Sequence, residues 1–337
     1  MKLRVHRSVL GWFVGAACLF CLGPQGLSAE EVSIQLDWII GGKHVPFYVA
    51  RDKGFFKEKG LEVKLLEGRG SLQPATFVDT KKTDYGYGDL LTAIQVMAKG
   101  GKNRGIGVGM VFQGGGYIFL EESGIKTPKD LEGKRYGTTS ADFGYILLPA
   151  LAAASGFDHT KVIIRTMDAA VRTPALLERK IDFIAGARGS SIPRMAVIGK
   201  RQGKKIQYLF FKDMGINTYG HVLQTQEERM KSNPDQVQRF LDALFAAWAW
   251  SIKNPKEALE IFMKANPQTD REITLAEMEE GLNDIQDAET RQYGLGYMKE
   301  SMMKQSAEIA NKYFGLSSPV DYKAIYTNQF IRKSPGM

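Results

Sequence analysis

Apolar and polar positions alternate along Val32-Ser33-Ile34-Gln35-Leu36, a period of two that predicts a strand with one buried face. Asp37-Trp38 and a Gly41-Gly42 loop follow, and residues 45–53 read as a short helix stopped by Gly54. The period of two returns at 61–66. Residues 71–81 suit a helix, Tyr85-Gly86-Tyr87 a short strand, and Asp89 the cap of a helix running through Lys99. The run 105–112 predicts a buried strand. A second block repeats the alternation, with strands at 118–120, 135–138, 162–164 and 181–185. Its helices are a turn at 127–131, a helix over 143–155 opened by Ser140 and stopped by Gly156, and a helix over 171–179. Runs at 206–211 and 220–224 read as strands returning to the first block. From Pro234 onward the pattern is helical. Val237, Phe240, Leu241, Leu244, Phe245, Trp248 and Ile252 form one apolar face, and further helices follow from Pro255 and over 272–314.

Strands alternating with helices over 32–224 predict an α/β fold, and 337 residues suggest two domains. No Pro/Ser-rich joint separates the blocks, so the chain is expected to cross between two lobes on strands. The expected division is 30–113 with 212–337 in lobe 1 and 114–211 in lobe 2. The C-terminal helices are expected to buttress lobe 1.

Residues 1–29 change this picture. Lys2, Arg4 and Arg7 precede an apolar run from Val9 to Leu22, then Gly23-Pro24 and a short stretch ending Ser28-Ala29. The run is shorter than the ~20 residues of a membrane span. The layout reads as a secretory signal peptide, 1–29, cleaved after Ala29, with lipidation at Cys18 as the alternative. Cys18 and Cys21 are the two cysteines, so the chain from Glu30 onward has no disulfide, thiolate metal site or cysteine nucleophile. The formal charge is +8, three of the positives lie in that leader, and no Lys/Arg stripe accompanies the rest. Nucleic acid is therefore not an expected partner.

A search for catalytic motifs returns little. His44, His159 and His221 lack metal spacing. Gly105-Ile106-Gly107-Val108-Gly109 lies within a strand and does not open a helix. Gly114-Gly115-Gly116 has no following Lys-Ser/Thr pair, and no Gly-x-Ser-x-Gly occurs. No cofactor and no metal are expected, and binding is expected over catalysis.

Candidate ligand contacts are the polar and aromatic residues just after strands, because open α/β sheets bind ligands at the carboxyl ends of their strands. These are Asp37 and Trp38, His44, Tyr87 and Asp89 in lobe 1, and Ser140 and Arg188 in lobe 2, with Tyr219 beside a returning strand. Ser140 would present free helix N–H groups to an oxygen. Each has a plainer role available: Trp38 as core, Asp89 as a helix cap, Arg188 in a surface ion pair, the tyrosines as packing.

The stretch Leu36-Asp37-Trp38, then His44-Val45-Pro46-Phe47-Tyr48-Val49-Ala50-Arg51-Asp52-Lys53-Gly54-Phe55-Phe56 and Gly60-Leu61-Glu62-Val63, resembles the opening of substrate-binding proteins of ABC importers. It is similar to the group taking thiamine pyrimidine precursors, alkanesulfonates, taurine and nitrate. Thr83 to Asp89, Asp130 to Gly137, Leu176 to Asp182 and Asn233-Pro234 agree with that group in order. The resemblance implies a two-lobed periplasmic binding protein fold (type II-like). It also implies a monomer that traps a small molecule in its cleft and presents it to a permease in the inner membrane. Leu-Asp-Trp…His points to the pyrimidine branch, where Trp38 would stack on a flat ring and Asp37 and Asp89 accept from ring amines. Arg188 would instead suit a carboxylate or sulfonate. A sensor module for a signalling partner would use the same cleft. Eukaryotic relatives make the pyrimidine with a cysteine-rich motif. The chain after the leader has no cysteine, so the expectation is that it is not an enzyme.

Overall fold

The computed structural model describes residues 1–3, 29–109 and 115–333. The leader's hydrophobic run and Cys18 lie outside the described residues. The first sheet holds β1 (Glu30–Gln35), β2 (Leu61–Leu66), β3 (Tyr85–Asp89) and β4 (Asn103–Val108). The second holds β5 (Gly116–Leu120), β6 (Arg135–Thr138), β7 (Ile163–Thr166), β8 (Phe183–Gly186) and β9 (Ile206–Phe210). The chain then returns as β10 (His221–Gln226) between β3 and β4, giving orders β2-β1-β3-β10-β4 and β7-β6-β8-β5-β9. β1 is parallel to β2 and β3, while β10 is antiparallel to β3 and β4. In the second sheet β5 is the antiparallel strand, between β8 and β9. Each mixed sheet is thus a parallel run plus one strand that crosses over.

The return from β9 to β10 is not a continuous strand. It turns at 211–215, where Gly215 takes φ 88 and Ile216 N–H bonds back to Phe211 O. An L side chain rarely adopts that φ, so glycine fixes the turn. The other crossing passes through 110–114, outside the described residues.

The helix expected over 143–155 is two, Phe143–Ile146 and Leu148–Ser155. Pro149 supplies no N–H and its ring crowds the turn before it, so the backbone restarts there. The opening residue is Asp142 rather than Ser140: its carboxylate accepts from Gly144 N (2.8 Å) and Tyr145 N (3.3 Å). Helix Pro234–Lys253 lays its apolar face on the first sheet. Phe240 stacks on Tyr85 with centroids 3.8 Å apart, and Trp248 packs against Phe47 and Tyr87. Burying each such side chain contributes on the order of 1.5–3 kcal/mol.

The C-terminal helices do more than support lobe 1. Helix Glu300–Tyr313 packs on helix Leu90–Ala98 of the first lobe and on helix Leu148–Ser155 of the second. Met303, Ala307 and Ala310 share one apolar core with Leu91, Ile94, Leu148 and Leu151. No helix among the described residues is long and apolar enough to cross a membrane.

Candidate functional site

β1 ends by turning Asp37 and Trp38 toward the second sheet. The turn Gly42–His44 then folds back over Asp37. Gly42 sits against helix Arg271–Asp284, where a Cβ would overlap Thr274 O and Met278 N, so glycine is required there. The turn delivers two side chains to one carboxylate. Lys43 Nζ donates to Asp37 Oδ2 at 2.6 Å, and His44 Nε2 lies 3.1 Å from Oδ1. Gly41 N–H donates to His44 Nδ1 (3.2 Å), which leaves the imidazole proton on Nε2, aimed at Asp37. From the start of β10, His221 Nε2 comes to 2.7 Å of Oδ2 and 3.3 Å of Lys43 Nζ.

Burial pushes the Asp37 carboxyl up. The Lys43 ammonium, the neighbouring His221 and the two imidazole hydrogen bonds outweigh it and hold Asp37 well below the usual carboxylate range. Burial drives His44 down to about 4, against the pull of its Asp37 hydrogen bond. The linkage has a definite sign. Between about pH 6.5 and 4 the unfolded chain binds a proton at His44 that the folded chain refuses, so stability is complete above 6.5 and falls toward 4. The expected loss is about 3 kcal/mol. Urea unfolding across that window measures it. His44→Gln should flatten the profile, and an unchanged slope in that variant would assign the acid sensitivity elsewhere.

The facing half comes from lobe 2. Arg172, at the head of helix Arg172–Leu177, is 2% exposed. Its guanidinium donates to Asp142 Oδ2 (2.8 Å), Gly137 O (3.1 Å) and Ala185 O (2.7 Å). Tyr136 O–H donates to the other Asp142 oxygen at 3.1 Å. The same guanidinium lies 5.1 Å from the Trp38 ring centroid, a cation–π contact that spans the lobes. Asp37, Trp38, Lys43, Gly70 and Ser71 thus face Asp142, Phe143, Arg172, Ala187 and Ser190 across one crevice. The lobes meet tightly around it. Leu72 N–H donates to Ala141 O (3.3 Å) and Thr139 Oγ1 to Arg69 O (3.0 Å), leaving a cavity of about 10 Å³, room for about one water. The two cations and two carboxylates cancel in pairs. Ser71 Oγ is buried there without a hydrogen-bond partner among the described residues.

Of the residues singled out from sequence, Asp37 and Trp38 line this crevice. His44 lies behind Asp37, fully buried. Tyr87 lies deeper, packed on Phe47 and His221. Asp89 caps helix Leu90–Ala98, accepting from Thr92 N (2.8 Å) and Thr92 Oγ1 (3.0 Å). Ser140 is exposed and does not line the crevice. Arg188 is exposed and pairs with Glu280 at 3.3 Å, outside the crevice. Tyr219 is buried, its hydroxyl accepting from Lys299 N (2.7 Å). Sequence reasoning passed over Lys43, Ser71, Asp142, Arg172, Ser190 and His221. Asp142 carries a usable signal, a capping residue directly before the helix that opens Phe143-Gly144. The sequence presents His221 only as a histidine without metal spacing.

The family model described as NMT1/THI5 like matches residues 42–258. The riboflavin-binding protein RibY of Chloroflexus aurantiacus is 25% identical over 90% of this chain and 86% of its own length. A 4-amino-5-hydroxymethyl-2-methylpyrimidine phosphate synthase of Uromyces fabae is 23% identical over 91% of this chain and 89% of its own. Among solved structures, the ligand-binding component of an ABC-type import system from Staphylococcus aureus superposes with a TM-score of 0.65 at 15% identity, covering 89% of this chain and 97% of that one. The periplasmic aliphatic sulphonate-binding protein SsuA of Escherichia coli gives 0.63 at 14% identity, covering 91% and 94%. These two share the fold.

The expectation that the chain is not an enzyme is corrected by these relatives. Several, including one matched over nearly the whole chain and one from Legionella pneumophila, carry a synthase name. The lack of cysteine and of linear motifs does not decide the question, because polar side chains far apart in sequence, such as Asp37 and His221, meet only in the folded chain. The two-lobed α/β fold of ABC-import binding proteins and the match over 42–258 together make this chain a member of the NMT1/THI5-like family.

Proposed function

We propose that the chain is exported and captures a small, flat, overall neutral heteroaromatic compound between its lobes, delivering it to an ABC permease. In this reading 30–113 with 212–337 and 114–211 move as two bodies about the crossing segments. The ligand favours a closed form spaced by its own thickness, wider than the one-water crevice described above, because it touches both lobes only there. The observation that carries the ligand class is charge cancellation. Lys43 is matched by Asp37 and Arg172 by Asp142, so a nitrate or sulfonate would have to displace a buried carboxylate from its cation. A neutral ring with amine and carbonyl edges meets no such penalty. It would slip onto the Trp38 face and exchange hydrogen bonds with Asp37, Ser71 and Ser190. The names of the riboflavin-binding and pyrimidine-synthase relatives support a nitrogen heterocycle.

The test is mass spectrometry of whatever the exported protein releases on denaturation, followed by melting with pyrimidines, flavins, sulfonates and nitrate. A ligand at a hundred times its Kd adds about 2.7 kcal/mol and raises Tm by roughly 4 °C. A heterocycle recovered unchanged supports capture. A response to sulfonate or nitrate alone overturns the assigned class, and recovery of a converted product favours the chemistry named for the synthase relatives.

A further inference from the structure

Helix Ser191–Gln202 of lobe 2 packs on helix Arg271–Asp284 of lobe 1, outside the crevice. Three arginines on the lobe 2 side meet acids on the lobe 1 side in antiparallel order. Arg201 pairs with Asp270 and Glu272, Arg194 with Glu277, and Arg188 with Glu280. The outer pairs are solvent-exposed and individually weak. The middle pair differs. Glu277 is fully buried, its Oε1 accepting from Arg194 Nε at 3.0 Å and its Oε2 from Gly42 N at 2.7 Å. Gly42 opens the turn that carries Lys43 and His44 to Asp37. One carboxylate therefore holds the other lobe by one oxygen and the crevice turn by the other.

We propose that Glu277 is a positioning residue which, with Arg194, biases the lobes toward closure and ties the placement of Lys43 and His44 to that closure. The inference rests on reading the crevice as the binding site. When the lobes part, Arg194 withdraws and Glu277 loses the cation that pairs with it, which favours reclosure. The same withdrawal loosens the anchor of the Gly42 turn. Opening the lobes thus also relaxes the turn that sets the hydrogen bonds of Asp37. Neither Arg194 nor Glu277 lines the crevice.

The test uses the full chain with Cys18 and Cys21 changed to serine, so that cysteines placed at the exposed Lys64 and Lys180 carry the only spin labels. The protein is unfolded and refolded to strip any ligand, and interlobe distances are read by pulsed electron resonance. The parent should give one dominant short distance. Arg194→Met and Glu277→Gln should each raise the ratio of long to short distances about tenfold or more, and Arg194→Lys should restore the parental distribution. Arg188→Met and Arg201→Met should change the ratio less than threefold. Glu277→Gln keeps an oxygen for Gly42 N–H and decides the matter if Arg194→Met folds poorly. It should also shift the ¹⁵N resonances of His44, which a purely structural surface pair would leave in place. Distributions for Arg194→Met and Glu277→Gln that superpose on the parent would overturn the proposal, as would equal opening by the outer-pair variants. No ligand enters this experiment, so its failure is separable from failure of the capture reading, which the melting series reports.

Discussion

Arg172→Met lowers stability by about 3–5 kcal/mol, because it leaves Asp142 as a buried charge without its cation and takes one donor from each of two buried carbonyls. Urea unfolding should show the loss in the midpoint with little change in slope, and thermal melting should fall by about 5–8 °C. Arg172→Lys should recover little. A lysine ammonium cannot present the planar fork that reaches Asp142, Gly137 O and Ala185 O together. The variant also removes the cation above Trp38, so capture should weaken even in cold, fully folded samples. A loss under about 1 kcal/mol would mean that solvent or a shifted backbone replaces these contacts, and the guanidinium would then be no organiser of lobe 2.

Asp37→Ala is expected to be as costly to the fold and more costly to function. It leaves Lys43 buried with no carboxylate and frees His44 and His221 to turn, at about 3–5 kcal/mol. Ligand recovered with the purified protein should fall at least about a hundredfold, through both the lost acceptor and the disordered turn. Two controls separate these causes. Adding Lys43→Met to Asp37→Ala should regain much of the stability, since no unpaired charge remains, but none of the ligand. The acid limb of the stability profile should also change. Asp37 is held low in the folded state, so its contribution is present above about pH 4 and is lost as pH falls through the folded value. The variant has no such limb. If stability recovers in the double variant together with ligand, Asp37 is a structural acid and the binding surface lies elsewhere in the crevice.

What could be seen in the sequence divides along a physical line. Period-two runs and the alternation of strands with helices announce the α/β lobes, because those signals are local. Asp37 and Trp38 were visible for the same reason, sitting at the end of the first strand. Their partners were not. His221 reaches Asp37 through the pairing of β10 beside β3, a contact across more than half of the chain that no spacing rule encodes. Arg172 looked like an ordinary basic residue at a helix start. Arg188 shows how fine the margin is. β8 ends at Gly186, and alternation beyond it turns Ala187 into the crevice and Arg188 out to Glu280. Ser140 misses by two positions, since the cap that opens the helix is Asp142. Linear motif searches fail on the cluster of Asp37, Lys43, His44 and His221 because its members are gathered by one tight turn and one distant strand.

Helix Glu300–Tyr313 lies wedged behind the crevice, its Met303, Ala307 and Ala310 buried among side chains of both lobes. Units that hold a wall in common cannot come apart one after the other. Heating should therefore dissolve the molecule in a single step, and grip applied at the front by a bound compound is felt along its whole length.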